Sequence, residues 1–336
     1  MKEHDIRPAH LLQRYLDLSA RDAEFCFGDS TRTAIPCVAC GGEGAHYEFD
    51  KNGFSYACCD GCGTLFQCPR PLIGAFERFY RNSESSRYWA NIFFPAVAET
   101  RREKIFRPRV ERLAALCAKK GIVVEHLIDV GAGYGIFLDE WRRRFPAVKS
   151  LAVEPSESLA RECRAKGFDV IENIVENVQG YDNYADLAVC FEVLEHVYAP
   201  LDFVRTLGRL VRPGGYVFLS TLGVDGFDIQ MLWERSNSIF PPHHINFMSV
   251  DGFKHLFARA GLEEVEVTTP GQLDVDIVRN ALDREPGLLD GHRFLRHVLA
   301  NEDHAVAFQR FLADNQLSSH TWVIGRKSAI EKSKHG

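Results

Sequence analysis

Apolar residues recur in short runs along this chain, and helical patterns separate the runs. Leu127–Val130, Leu151–Val153, Phe168–Ile171, Asp186–Phe191 and Tyr216–Leu222 read as strands. Leu262–Thr269 alternates as a strand, and His320–Lys327 supplies a last one. Between the first two runs, Ile136, Phe137, Leu138 and Trp141 follow a helical period that Pro146 ends. Ser249 is a good N-cap for a helix running through Ala260, which Gly261 ends. Further helical patterns cover 274–284 and 288–313. Strands alternating with helices predict an α/β domain over residues 121–328, with the helices around 270–317 as an insertion before the last strand.

Ahead of that domain the pattern changes. Residues 1–35 hold one amphipathic helix marked by Leu11, Leu12, Tyr15 and Leu16. Residues 36–72 carry Cys37-Val-Ala-Cys40-Gly41 and Cys59-Asp-Gly-Cys62-Gly63, with 18 residues between the pairs. That spacing is the arrangement of a structural zinc site, in which four thiolates fill a tetrahedral ion and leave no open position. Tyr47–Phe49 and Phe54–Ala57 flank Asp50-Lys-Asn-Gly53 and read as a β-hairpin, so the segment is expected to form a zinc ribbon. Cys58 breaks the two-residue spacing and Cys68 is expected to be a spare thiol. Residues 73–120 read as a basic helical connector or lid, and 329–336 as a polar tail.

The densest chemistry is Asp129-Val-Gly131-Ala-Gly133-Tyr-Gly135, followed 19 residues after Gly135 by Glu154. Glycines after a strand let the backbone turn and approach a ligand, and an acid after the next strand suits the two hydroxyls of a ribose. A dinucleotide site wants its third glycine one residue later and a phosphate at the helix start. Asp129 would repel a phosphate but can accept hydrogen bonds from an ammonium, which favours S-adenosylmethionine over NAD.

With A-V-E-P, F-E-V-L-E-H-V and L-V-R-P-G-G-Y-V-F-L-S following in order, the chain resembles the class I S-adenosylmethionine-dependent methyltransferases. The resemblance implies a Rossmann-like, doubly wound seven-stranded sheet, here with the N-terminal ribbon and helical insertions. It places Asp129, Gly131 and Gly133 near the methionine part of the cofactor and Glu154 near its ribose. Asn173, with Ile174 on the ring, would contact adenine, or Asn173 simply caps a helix. A helix before the first strand often closes over the cofactor in such enzymes, and Tyr88-Trp89 would do so here.

The ribbon together with Pro241-Pro242-His243-His244-Ile-Asn-Phe-Met-Ser249 is similar to methyltransferases that modify sugars and polysaccharides. Keto-sugar C-methyltransferases have Glu where this chain has His243, so O-methylation is favoured over C-methylation. The resemblance puts His244 beside the acceptor as the base, with His243 in substrate positioning and Glu192, at the end of the fourth strand, as fallback. An imidazole titrates near neutrality and so suits proton abstraction.

Composition narrows the alternatives. Hydrophobic residues make up 46% of 336, enough for a packed core, and no run is long enough to span a bilayer. The start Met1-Lys-Glu-His-Asp-Ile-Arg-Pro has no apolar stretch, so a cytoplasmic protein with zinc rather than disulfides at its cysteines is expected. Net charge is −6, and residues 36–72 hold two basic residues (Lys51, Arg70) against four acids (Glu43, Glu48, Asp50, Asp60). This disfavours nucleic acid as a partner, and with it methylation of an rRNA base. A cofactor-binding scaffold without catalysis is the remaining reading of another class. In 73–120, 11 Lys/Arg oppose five acids; this is a solvated face or a phosphate grip through Arg101, Arg102 or Arg107. The acceptor and the oligomeric state stay open at this level.

Overall fold

The computed structural model describes residues 1–329, so the polar tail beyond Ala329 lies outside the described residues. A seven-stranded sheet runs in the order Leu262–Thr268, His320–Lys327, Val211–Leu222, Ala185–Phe191, His126–Val130, Lys149–Val153, Asp169–Ile171. From Val211–Leu222 to Asp169–Ile171 every neighbouring pair is parallel. Chain order reverses between His126–Val130 and Ala185–Phe191, which is where open α/β sheets place a ligand. The central strands are buried throughout their middle residues, as a sheet covered on both faces requires.

The chain divides into two compact units that cut across the linear boundaries read from sequence. Among the described residues, one comprises Met1–Val97, Thr221–Phe253 and Val267–Trp322; the other comprises Ala98–Ser220, Lys254–Glu266 and 323–329. The physical reason lies in the ribbon. Its hairpin, Ala45–Lys51 with Phe54–Cys59, turns at Asn52 and Gly53, both at positive φ (46° and 75°) as a two-residue turn demands. Leu65–Gln67 adds to the hairpin, and Asn246–Phe247 then pairs with Leu65–Gln67, 180 residues downstream of Phe66 in the Asn246↔Phe66 register. The ribbon therefore continues as a four-stranded sheet into a segment that sequence assigned to the α/β domain.

In the same unit, the helix Ala9–Phe27 seats Phe27 against Phe54, Phe76 and Phe79 at 5.0–5.7 Å between ring centres. The expected helix over 288–313 is instead two, Arg293–Ala300 and Glu302–Asp314. Asn301 is extended and its side chain accepts the His304 N–H, so an N-cap interrupts what apolar periodicity alone would join. These helices and Asp274–Arg284 bury Val278, Leu299 and Leu312 together.

In the second unit the basic run has a specific use. Arg102 donates to Asp139 at 2.8 Å and to Glu140 at 2.6 Å, and Arg107 reaches Glu140 at 3.2 Å. Its ion pairs tie this part of the connector to the helix Ile136–Arg144. Arg102 is thus committed to carboxylates, while Arg107 pairs with Glu140 from an exposed position.

Candidate active site

At the end of His126–Val130 the chain turns through Gly131, Gly133 and Gly135, all at positive φ. A Cβ on Gly131 would stand 2.5 Å from Val193 Cγ2, whereas one on Gly133 would meet nothing within 4 Å. Gly131 is required by the fold itself, and Gly133 leaves backbone open to a ligand. Glu154, after Lys149–Val153, is 6% exposed and accepts the Gly133 N–H at 2.8 Å and the Ser156 N–H at 2.9 Å. Burial raises its carboxyl above the ordinary value, opposed by those two N–H groups. One bond to each oxygen leaves further lone pairs for hydroxyl donors.

Asp129 is 1% exposed, and its Oδ1 has no hydrogen-bond partner within the protein. Burial pushes its carboxyl up to about 8, with Glu154 adding to the rise and Arg109 opposing it. A buried, unpartnered carboxylate oxygen is costly unless a cation or donor completes it. The glycine turn with these two acids is therefore chemically suited to a ligand bearing an ammonium and vicinal hydroxyls.

Asn173 bonds locally: its Oδ1 accepts from Ile174 N at 2.9 Å and Asn177 Nδ2 at 3.1 Å. The turn Val175–Asn177 that follows has Ile174 as its N-cap with no side-chain cap bond, and Ile174 is 49% exposed. Glu192 ends its strand at φ 55° and accepts from Ser220 Oγ at 2.5 Å and Arg109 Nη2 at 3.1 Å. Arg109 is buried and lies 4.6 Å over the Phe191 ring, so the carboxylate is already committed to a cation and a hydroxyl. That is a poor starting state for the fallback base.

The first unit holds the two histidines. Both are buried, His243 at 4% and His244 at 7% exposure. His244 Nδ1 lies 2.7 Å from the Ser238 carbonyl, which can only accept, so Nδ1 carries a proton. His243 Nε2 lies 2.8 Å from Ser85 Oγ, and Ser85 gives its own hydroxyl proton to Asp22 at 2.5 Å. The serine oxygen therefore accepts, and His243 is protonated at Nε2. Asp22 also takes Ser83 Oγ at 2.8 Å and the Ser85 N–H at 2.9 Å. Tyr15, Phe79 and Phe240 surround the His243 ring at 4.9–5.6 Å. Tyr88 lies in this unit as well, packed on the cluster of Tyr15, Phe93 and Val97.

The ribbon holds the histidine segment from the other side. Tyr56 Oη donates to the His244 carbonyl at 2.6 Å, Gln67 N to Ile245 O at 2.9 Å, and Arg70 Nη2 to Asn246 Oδ1 at 2.7 Å. Asp22, Ser85, Ser238 and Arg109 were not singled out from sequence as parts of a site. Each acts across a gap in the chain or through one hydrogen bond, so no local spacing marks it.

A family model described as a methyltransferase domain matches residues 97–267. The chain belongs to the methyltransferase-domain family. Among curated proteins, the ubiquinone biosynthesis O-methyltransferase of Yersinia pestis (strain Pestoides F) is 35% identical over 107 residues, covering 30% of this chain. The match spans less than half of that relative, 44% of its length. Among solved structures, the plantazolicin methyltransferase BamL, in complex with a triazolic desmethylPZN analog and SAH, aligns with a TM-score of 0.50. It is 15% identical and covers 75% of this chain and 93% of that one, a likeness of fold.

The methyltransferase domain as matched contains the glycine turn, Glu154, Glu192 and both histidines, and it leaves out the cysteine ribbon. In the ribbon, Cys37, Cys40, Cys59 and Cys62 bring their sulfurs within 4.8 Å of one another. Cys37–Cys62 and Cys40–Cys59 are 3.6 and 3.5 Å apart, far longer than a disulfide and close to the edge of about 3.8 Å that tetrahedral zinc–thiolate bonds of about 2.3 Å imply. Cys68 stands apart, donating to the Ile35 carbonyl at 3.8 Å. No helix among the described residues is long and apolar enough to cross a membrane.

Proposed function

We propose that the chain transfers a methyl group from S-adenosylmethionine to a small acceptor, a sugar, nucleotide-linked sugar or glycan unit, at a hydroxyl oxygen. The buried, unpartnered Asp129 Oδ1 at the end of the first sheet strand carries the cofactor half of this reading, because it lacks a hydrogen-bond partner that a ligand's ammonium would supply. Glu154 takes the ribose hydroxyls, and Gly131 and Gly133 let the backbone close on the ligand. Asn173, Ile174 and Tyr88 remain the adenine-side and lid candidates, with Ile174 the better supported by its exposure. The sulfonium of the cofactor supplies an activated methyl. The chain's own residues align the acceptor and remove its proton.

His244 is the base in this scheme, and His243 orients the acceptor. The carbonyl of Ser238 supports the assignment by holding the His244 proton on Nδ1. The hydroxyl acceptor is favoured by the curated relative, an O-methyltransferase. A structural zinc ion in the four-thiolate cluster would fix the ribbon, and the ribbon in turn fixes the histidine segment. The test is calorimetric titration with S-adenosylmethionine and S-adenosylhomocysteine, joined to a turnover assay over sugars, sugar nucleotides and RNA. Methyl transfer to a sugar hydroxyl is expected. Cofactor binding without turnover on any acceptor, together with capture of a protein partner, would favour the scaffold reading instead.

A further inference from the structure

We infer a second metal site on the outer face of the ribbon, built from His46 Nε2, the Glu48 carboxylate and the Cys58 sulfur, with a solvent position open on the ion. His46 and Cys58 face each other across the hairpin in register. Between Tyr47 and Phe49 the register shifts, so Glu48 is the extra residue of a bulge. A bulge re-aims a side chain, and here the Glu48 carboxylate reaches His46 Nε2 at 3.0 Å. A ring nitrogen of His46, a Glu48 carboxylate oxygen and the Cys58 sulfur lie within 4.8 Å of one another, close enough for a small inward shift to close them on one ion.

The other ring nitrogen is already arranged as a ligating histidine requires. His46 Nδ1 lies 2.6 Å from Asp60 Oδ1. A carboxylate there holds the proton on Nδ1 and turns the Nε2 lone pair to the ion, the usual support of a metal-bound imidazole. Gly44 makes room for it, since a Cβ there would stand 3.0 Å from Asp60 Oδ2.

Cys58 and Cys59 point to opposite faces of their strand, as successive residues do. Cys59 is buried against Cys40 in the four-thiolate cluster, and Cys58 is half-buried on the face of His46. The two sites therefore share a strand and no ligand.

One nitrogen, one oxygen and one sulfur donor suit a borderline ion of the zinc and cobalt(II) class, and oxygen-loving magnesium or calcium fits poorly. Three protein ligands with an exposed fourth position describe an exchangeable ion, unlike the closed cluster beside it. An ion pair of His46 with its two carboxylates would account for three of the four groups and give Cys58 no part.

The test uses the full chain. Wild type, Cys58→Ser and His46→Ala are equilibrated with excess zinc, freed of unbound metal by rapid gel filtration, and their metal content measured. Wild type is expected to hold one equivalent more than either variant, whatever the four-thiolate cluster holds in all three. Cobalt(II) added to zinc-loaded protein should give a thiolate-to-cobalt charge-transfer band in wild type that Cys58→Ser lacks. Asp60→Asn should weaken this second ion by about 10–100-fold and keep the band at saturation. Equal metal content in wild type and His46→Ala, or cobalt uptake without the band, overturns the site and leaves a plain ion pair. If Cys58→Ser disturbs the ribbon, His46→Ala carries the comparison alone.

Discussion

The glycine turn and the histidine segment are assembled from the chain in opposite ways. Asp129, Gly131, Gly133 and Glu154 come from one strand, its turn and the end of the next strand. Their contacts stay within that one stretch of chain, such as the Gly133 N–H donated to the Glu154 carboxylate 21 residues on. His243 and His244 instead depend on Asp22 through Ser85, on Tyr56 from the hairpin, and on the Ser238 carbonyl. A site of the first kind tolerates damage elsewhere in the fold. A site of the second kind fails when any distant support fails.

The largest test of that contrast removes metal. Cys59→Ser should forfeit zinc binding, worth about 10–16 kcal/mol in apparent terms for a structural site. Turnover should fall to background because Tyr56, Gln67 and Arg70 no longer hold the histidine segment, while titration still shows cofactor binding. Equal loss of cofactor affinity would mean that the two regions are not independent.

Next in size, His244→Ala should lower turnover by on the order of 10²–10⁴ with cofactor affinity unchanged. Near-normal turnover on the true acceptor would move the base elsewhere. On the cofactor side, Glu154→Ala should cost about 1.5–3 kcal/mol of S-adenosylmethionine affinity through lost charge-assisted bonds. It is a cleaner probe than Gly131→Val, whose side chain would also collide with Val193.

A pH series gives a smaller, graded effect. Asp129 has its carboxyl raised from an ordinary 3.8 to about 8, so it is protonated below pH 8 and must lose that proton to pair with an ammonium. Cofactor affinity should therefore rise with pH by up to about tenfold per unit below about pH 8 and fall above it, where an α-amino group, with a pKa of about 7.7–8.0, loses its own proton. The same raised value means that the ligand-free protein loses stability as pH climbs from about 4 to 8, and bound cofactor should restore part of it. A flat affinity profile from pH 6 to 8, read by calorimetry, would separate Asp129 from the ammonium.

The smallest effect is expected at Ser85→Ala, which cuts the link between Asp22 and His243. Turnover should drop by about tenfold or less, and the nitrogen NMR shifts of His243 should show its proton no longer confined to Nε2. Unchanged shifts would mean that the surrounding Tyr15, Phe79 and Phe240 rings hold the tautomer without the serine.

Sequence alone determined what is local. Strand runs ending in glycine, the acid after the second strand and the paired C-x-x-C-G knuckles each fix their geometry within a few residues, because turn dihedrals and strand periodicity act over that range. These signals located the seven strands, the hairpin turn at Asn52-Gly53 and the four clustered thiols. Apolar periodicity failed at Asn301, where a capping side chain overrode a continuous apolar pattern. Tertiary structure decided the rest. Only folding shows that Asn246–Phe247 completes the ribbon sheet, that Arg102 and Arg107 are spent on Asp139 and Glu140, and that Asp22 reaches His243 through Ser85. Such pairings are chosen by which buried polar groups must find partners once the core closes, and that demand leaves no spacing in the chain to read.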